Sequence, residues 1–227
     1  MKEKGRSVFL SIMETGVQAV GLNLLFLLCS LPVLTAGASL TALYAGLRAM
    51  VKKESCFRAF FHTFRVSFVR ATLLWVLLLP LNALMLFNTV SVVYYYQPGA
   101  LPALILSAVF SVLLLGITTS VFLFYSRFEA TFLQLLRHGG VLYLSYPLRS
   151  TLIALLTWAP LSMFFFPVAA AFLFGLLPVF LFFYFSVVSV AAIWLMNGPF
   201  IRFAAATLGM DVSHVNPSPA TDEQPLE

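Results

Sequence analysis

Charge is what this sequence lacks. Only 9% of its 227 residues are Asp, Glu, Lys or Arg, whereas a soluble globular domain is about 25% charged. Two long stretches, 71–126 and 150–201, contain none of these four residues. Each stretch is long enough for two membrane-spanning helices of about 20 residues. The shortage of charge excludes an ordinary soluble domain and predicts a polytopic membrane protein.

Residues that carry catalysis or bind metals are also scarce. The two cysteines, Cys29 in an apolar segment and Cys56 beside a basic run, do not indicate a disulfide framework. Their spacing relative to the three histidines matches no metal site. Between Glu14 and the C-terminal tail the acids are Glu54 and Glu129, both within basic segments, where ion pairing is the expected role. We therefore expect no catalytic residues, no metal, no cofactor and no enzymatic activity.

Turn-forming residues divide the uncharged stretches. Gln97-Pro98-Gly99 separates one pair of segments and Gly175 separates another. The sequence predicts an all-α bundle of five to six membrane helices, forming a single membrane domain over residues 1–204. The predicted membrane segments are 17–34, 38–51, 71–96, 100–126, 150–174 and 176–201. The small, polar, proline-containing residues 205–227 are predicted to be a disordered tail.

Two further segments, 54–69 and 127–138, have an amphipathic pattern. In the first, five phenylalanines recur at helical spacing while Arg58, His62 and Arg65 lie on a flanking face. The phenylalanines are Phe57, Phe60, Phe61, Phe64 and Phe68. An aromatic stripe bordered by cations is typical of a helix lying in the membrane surface. The alternative is that the stripe packs on the protein's own helices. The second segment repeats the pattern more weakly.

Basic residues indicate the orientation in the membrane. They lie in residues 2–6, 48–70 and 127–149, with Arg202 directly after the last predicted membrane segment, whereas the turns at 97–100 and near 175 have none. Because short cytoplasmic loops are enriched in Lys and Arg, we expect both termini and all basic segments to be cytoplasmic. Thirteen basic residues scattered between membrane segments do not form a nucleic-acid-binding face.

This orientation constrains residues 16–51, which must cross the membrane an even number of times or not fully. Pro32 removes a backbone donor and disfavours helix at Leu31, and Gly37 permits unusual dihedrals or close packing. We therefore favour a short or re-entrant hairpin turning at Pro32–Gly37. A single span with an external N-terminus is the alternative. A cleaved signal peptide ending at Ala36-Gly37-Ala38 is a third, less favoured reading.

The same segment carries a family resemblance. Asn23-Leu24, Cys29-Ser30-Leu31-Pro32, Thr35, Gly37 and the run Ala38–Tyr44 resemble the YesL family of bacterial integral membrane proteins. The resemblance is dense over residues 23–81 and looser over 126–139. It implies a bacterial cell-membrane location and a link to carbohydrate import by ABC transporters, but no catalytic residues. The motif residues singled out are Asn23, Pro32, Thr35, Gly37, Ser39, Thr41 and Tyr44.

Two functions are compatible with these features. The first is an accessory component that binds a membrane-protein partner such as a sugar ABC importer. The candidate docking or lipid-anchoring residues are then Phe57, Arg58, Phe61, Phe64, Arg65 and Phe68. The second is a stand-alone permease or channel for a neutral solute, lined by amides and hydroxyls. The sequence favours the first, because no charged residue lies within the predicted membrane segments from residue 71 onward.

Overall fold

The computed structural model describes residues 2–95, 99–128, 130–162 and 183–208. The predicted turns at Gln97-Pro98 and Gly175, the acid Glu129 and the tail from residue 209 onward lie outside these ranges. The helices are α1 (Lys2–Ser30), α2 (Ala36–Val51), α3 (Cys56–Tyr94), α4 (Leu101–Tyr125), α5 (Phe132–Ser145), α6 (Pro147–Ser162) and α7 (Phe185–Leu208). No strand occurs in the described residues.

In the part of the chain that the structure describes, four helical segments are long and apolar enough to cross a membrane. They are Met13–Ser30, Cys56–Tyr94, Leu101–Tyr125 and Phe185–Phe203. The predicted fold class, an all-α membrane bundle, is confirmed.

The chain reverses direction between α1 and α2. Helix α1 ends before Pro32, and a 3₁₀ turn at Val33–Thr35 leads into α2. The Thr35 hydroxyl donates to the carbonyls of Cys29 (2.6 Å) and Pro32 (2.8 Å), which closes the turn. A Cβ added to Gly46 would lie 2.9 Å from Leu22 Cδ2, although 24 residues of continuous helix would separate the two by about 36 Å. The hairpin reading therefore describes this segment, and the continuous span does not.

Helix α2 is the buried centre of the bundle. Thirteen of its 16 residues are buried, and α1, α3, α4 and α7 all pack against it. Small side chains allow this close approach, as is common at helix interfaces in membranes. The tightest position is Gly37, where an added Cβ would lie 2.7 Å from Trp75 Cβ and 2.9 Å from the Phe122 ring. Gly37 has ordinary helical dihedrals, so close packing is the reason for glycine here.

Helix α3 differs from the prediction. The sequence divides into an interfacial helix at 54–69 and a span at 71–96, but the structure has one uninterrupted helix from Cys56 to Tyr94. No proline or glycine lies between residues 56 and 79, so nothing ends the helix where its charge pattern changes. The 39 residues of α3 extend about 58 Å, nearly twice the hydrocarbon thickness of about 30 Å. Its charged residues end at Arg70, so residues 71–94 are the part of α3 whose composition suits a hydrocarbon core, and residues 56–70 contain the charged part.

Three further helix boundaries differ from the prediction. The second amphipathic helix occupies Phe132–Ser145 rather than 127–138, because Thr131 and Gln134 form a capping box at its start. It runs antiparallel to α4, with Gly139 against Val121 and Tyr143 against Gly116. The segment predicted at 150–174 begins at Pro147, and its part beyond residue 162 lies outside the described residues. Helix α7 passes through Pro199 and continues to Leu208, beyond the predicted end at 201 and into the predicted tail.

Short polar side chains join α3 to α4 along their apolar lengths. Asn82 donates to the Thr118 hydroxyl at 2.9 Å, and the hydroxyls of Thr89 and Ser111 lie 2.9 Å apart. Ser111 also donates to the Met85 carbonyl at 3.1 Å. Each such bond in a membrane protein contributes about 0.6 kcal/mol on average, so this pair of helices is held by several weak bonds in series.

The packing of Gly37 makes a testable prediction. Gly37→Ala places a methyl group against the Cβ of Trp75, which cannot rotate away, and we expect a loss of about 1–3 kcal/mol in the free energy of unfolding. Gly140→Ala in α5 is the matched control, because nothing lies within 4 Å of its added Cβ. There alanine should raise stability by about 0.5–1 kcal/mol through helix propensity. Thermal unfolding of both variants in detergent measures the difference, and equal stabilities would contradict the close packing of α2.

Candidate functional site

Asn23 holds the first and last described helices together. Its side chain is fully buried, and its Oδ1 accepts a hydrogen bond from the backbone N–H of Ser186 at 3.1 Å. The Ser186 hydroxyl in turn donates to the Ala19 carbonyl at 2.7 Å. Ser186 lies at the start of α7, directly after the π-helical residues 183–184. Asn23 and Ser186 therefore join α1 to the beginning of α7.

The other polar motif residues bond within their own segment. Ser39 donates to the Thr35 carbonyl and Thr41 to the Gly37 carbonyl, both at 2.9 Å. Tyr44 is fully buried, with its side chain beside Thr157 of α6. Pro32 is exposed at the hairpin tip, where its carbonyl accepts from Thr35. The motif therefore builds the α1–α2 hairpin and its contacts, and the hydroxyls of Thr35, Ser39 and Thr41 are occupied by backbone carbonyls.

Two tryptophans extend this network, and sequence reasoning did not single them out. The Trp75 indole N–H donates to the Val33 carbonyl at 2.7 Å, which fixes the hairpin tip against α3. The Trp75 ring stacks on Trp158 of α6, with centroids 5.5 Å apart and planes 11° apart. Trp158 then donates to the Thr119 hydroxyl at 3.0 Å. One feature of the sequence could have identified them. Both tryptophans lie in uncharged segments, and a buried indole N–H needs a hydrogen-bond partner.

The predicted phenylalanine stripe of α3 divides between interior and surface. Phe60 is fully buried near Gly46 of α2. Phe57, Phe61 and Phe68 remain 42%, 52% and 38% exposed, and Phe64 is half-buried. Arg58 and Arg65 are exposed as well. Packing on the protein's own helices therefore holds for Phe60, for Phe64 at the edge of the core and for Phe57 beside Gly21 of α1, while Phe61 and Phe68 are the more accessible rings.

Arginines join separate elements on the basic side of the bundle. Arg48 of α2 donates to the Ser126 carbonyl at the end of α4, a position where helix carbonyls lack partners and a cation is favourable. Arg70 donates to the Ala130 carbonyl at 3.5 Å. Arg149 donates to the Leu195 carbonyl at 3.3 Å. These three arginines thus join α2 to the end of α4, α3 to the loop before α5, and α6 to α7.

Arg127 is the most deeply placed cation described. Its guanidinium carbon lies 4.2 Å from the centre of the Phe200 ring, and its Nη1 donates to Asn197 Oδ1 at 3.4 Å. Burial, and secondarily the charge of Arg48, lowers the pKa of Arg127 to about 10. It therefore stays charged at neutral pH, and the aromatic face contributes to its stabilisation. Among the described residues, no three His, Cys, Asp or Glu side chains come together as a metal site would require.

Comparison with known proteins gives one match. Residues 19–89 correspond to the family described as "Protein of unknown function, DUF624". The matched region covers most of the α1–α2 hairpin and most of α3, and therefore includes Asn23, Gly37 and Trp75. No curated protein and no solved structure matches the chain.

The role of Asn23 in joining α1 to α7 can be tested with a matched pair of variants. Asn23→Leu leaves the buried N–H of Ser186 without its acceptor, so we expect a loss of about 1–3 kcal/mol in the free energy of unfolding. Asn88→Leu is the control, because Asn88 is exposed on the apolar part of α3, where leucine is favourable in lipid. Thermal unfolding in detergent compares them. If Asn23→Leu unfolds at the wild-type temperature, Asn23 does not fasten α1 to α7.

Proposed function

We propose that this protein is an accessory component of the membrane that acts by binding another membrane protein and has no enzymatic activity of its own. The observation that carries the proposal is the exposed surface of α3 over residues 57–69. There Phe57, Phe61, Val66, Phe68 and Val69 are 38–65% exposed, with Arg58 and Arg65 among them.

The position of this surface favours a protein partner. We place residues 56–70 beyond the hydrocarbon core, because they contain all the charged residues of α3, and their phenylalanines would then be open to a protein partner. Aromatic and arginine side chains are the residue types enriched in protein interfaces. An exposed aromatic surface with flanking arginines on a rigid helix is therefore suited to docking.

The choice of partner rests on the YesL resemblance of residues 23–81. Since that family is associated with sugar uptake, we propose a carbohydrate ABC importer in a bacterial cell membrane as the partner. The chain contains no GxxxxGK[ST] phosphate-binding loop, so the ATPase of such an importer would be a separate protein.

The rival function, a stand-alone permease for a neutral solute, is less well supported. A solute path needs polar groups facing a cavity, yet many of the described interior amides and hydroxyls bond to helix carbonyls or to each other. The buried hydroxyls of Ser30, Thr72 and Ser150 are exceptions without a hydrogen-bond partner. Thr118 and Thr119 donate to the carbonyls of Leu114 and Leu115, and they also accept from Asn82 and Trp158. Saturable sugar flux into liposomes containing the purified protein alone would favour the permease and contradict the accessory role.

We further propose that the α1–α2 hairpin is re-entrant and that both termini are cytoplasmic. At the hairpin tip, the Val33 carbonyl accepts a hydrogen bond from Trp75. Trp75 lies only five residues beyond Arg70, the last charged residue of α3. The far end of α3 at Tyr94 lies 19 residues further along, which is about 28 Å. Leu31, Val33 and Leu34 are 56–75% exposed at the tip, as expected for side chains that enter lipid.

Cysteine labelling tests this orientation. In a background without Cys29 and Cys56, Ala100→Cys should react with an impermeant maleimide in intact cells, since it lies at the uncharged turn. Lys52→Cys, in the basic turn between α2 and α3, should react only after lysis. The reverse pattern would place the basic segments outside the cell and refute the proposed orientation.

Charge reversal tests the docking surface. Arg58→Glu combined with Arg65→Glu should lower recovery of a co-purifying membrane protein more than about tenfold, because opposed charges at an interface become like charges. The matched control is Arg137→Glu, an exposed arginine on α5 outside this surface. Unchanged recovery with the double variant, while the bundle stays folded, would contradict docking through α3.

A further inference from the structure

A cavity of about 540 Å³ lies between the C-terminal half of α2 and the first turns of α3. Its lining includes Arg48 and Lys52 from α2 and its end, and Arg58 and His62 from α3. The single acid in the lining is Glu54, so three permanent positive charges face one negative charge. The volume falls within the range of about 300–1,000 Å³ found for small-molecule sites.

The turn between α2 and α3 brings these side chains together. Glu54 N–H donates to the Ala49 carbonyl at 2.9 Å and Lys53 N–H to the Met50 carbonyl at 3.0 Å, the two bonds of a Schellman ending. Lys53 takes the left-handed conformation, with φ of 60°, where glycine is usual. The turn folds α3 back along α2, so the cations of both helices line one space.

Small residues leave the interior of this space open. Ala45, Ala49 and Ala59 lie along the cavity between the charged side chains. Longer residues there would fill the volume. The cations therefore surround an open space at the surface of the bundle, where Lys52, Arg58 and His62 are exposed and Arg48 is half-buried.

Arg48 is held in place before any ligand arrives. It donates to the Ser126 carbonyl, and a guanidinium has five N–H donors, which allows further bonds. Burial lowers the pKa of Arg48 and the nearby charge of Glu54 opposes that shift. A bound anion would further stabilise this desolvated cation.

The start of α3 contributes a second favourable feature. Ser55, which also lines the cavity, is the N-cap residue, and its side chain makes no capping hydrogen bond. Backbone N–H groups at a helix start carry partial positive charge and bind anions readily.

We propose that this cavity binds a phosphate group, with Lys52 and Arg58 as direct ligands. Phosphate is the anion that matches several converging cations and helix-start N–H groups. The group could belong to a soluble phosphorylated molecule or to an anionic lipid. The two arms of the test below distinguish these sources, and phosphate binding does not require the proposed partner.

The test uses the purified full chain in uncharged detergent, titrated with inorganic phosphate at constant ionic strength maintained with chloride. Phosphate should raise the unfolding temperature in a saturable manner. Lys52→Gln and Arg58→Gln should each raise the half-saturating phosphate concentration about tenfold, through loss of a charge-assisted hydrogen bond. Arg65→Gln is the matched control, because this exposed arginine lies on the same helix but outside the cavity lining.

A second arm separates the two sources of phosphate. The same variants are compared for stabilisation by phosphatidylcholine vesicles with and without phosphatidylglycerol. Stabilisation by inorganic phosphate supports a soluble ligand. Stabilisation by phosphatidylglycerol alone, lost in Lys52→Gln and Arg58→Gln but kept in Arg65→Gln, supports a lipid headgroup in the same site. No saturable stabilisation in either arm, or equal loss in Arg65→Gln, would overturn the proposal.

Discussion

The close contact of Gly37 with Trp75 and Phe122 is the constraint on which the rest of the bundle depends. It allows α2 to lie directly against α3 and beside α4. With α2 in that position, α1 must return along its other side, and α7 is then tied to α1 through Asn23 and Ser186. A larger side chain at residue 37 would displace several elements together.

Hydrogen bonds within an almost uncharged interior supply the specificity of this packing. Lipid is as apolar as the helices, so hydrophobic burial alone does not choose one helix arrangement over another. Asn23, Asn82, Thr119 and the indole of Trp158 make directional bonds between particular helices. The same bonds occupy the polar groups that a solute pathway would need. The structural role of these residues is therefore part of the argument for an accessory function.

Several features of the fold follow from local chemistry and could be predicted. The break before α2 was predictable because Pro32 removes a donor and restricts Leu31. The all-helical membrane class followed from the absence of charge over residues 71–126 and 150–201. The continuity of α3 was missed, because the change in charge pattern at Arg70 suggests a helix boundary, although no helix-ending residue lies there.

Contacts between distant residues could not be predicted from a single sequence. The bond from Ser186 to Asn23 spans 163 residues and the bond from Trp158 to Thr119 spans 39. Neither contact produces a periodic pattern in the sequence from which it could be predicted. The division of the phenylalanine stripe depends likewise on which side α2 occupies, so only the structure separates buried Phe60 from exposed Phe61. The basic residues that line the cavity could be recognised in the sequence as a basic run. The turn at Lys53, which brings them together, could not be predicted.

The central claim is that α1 and α2 form a closed antiparallel hairpin at one side of α3. A direct measurement is the distance between spin labels at Val17 and Val51, which are 70% and 60% exposed. Because Thr15, Gly16, Ala19 and Met50 line one cavity, the two helix axes near the labels should be about 8–10 Å apart, as for packed helices. The account predicts a short, narrow distance distribution. A distance near the value of about 51 Å expected for 34 residues of continuous helix would contradict it.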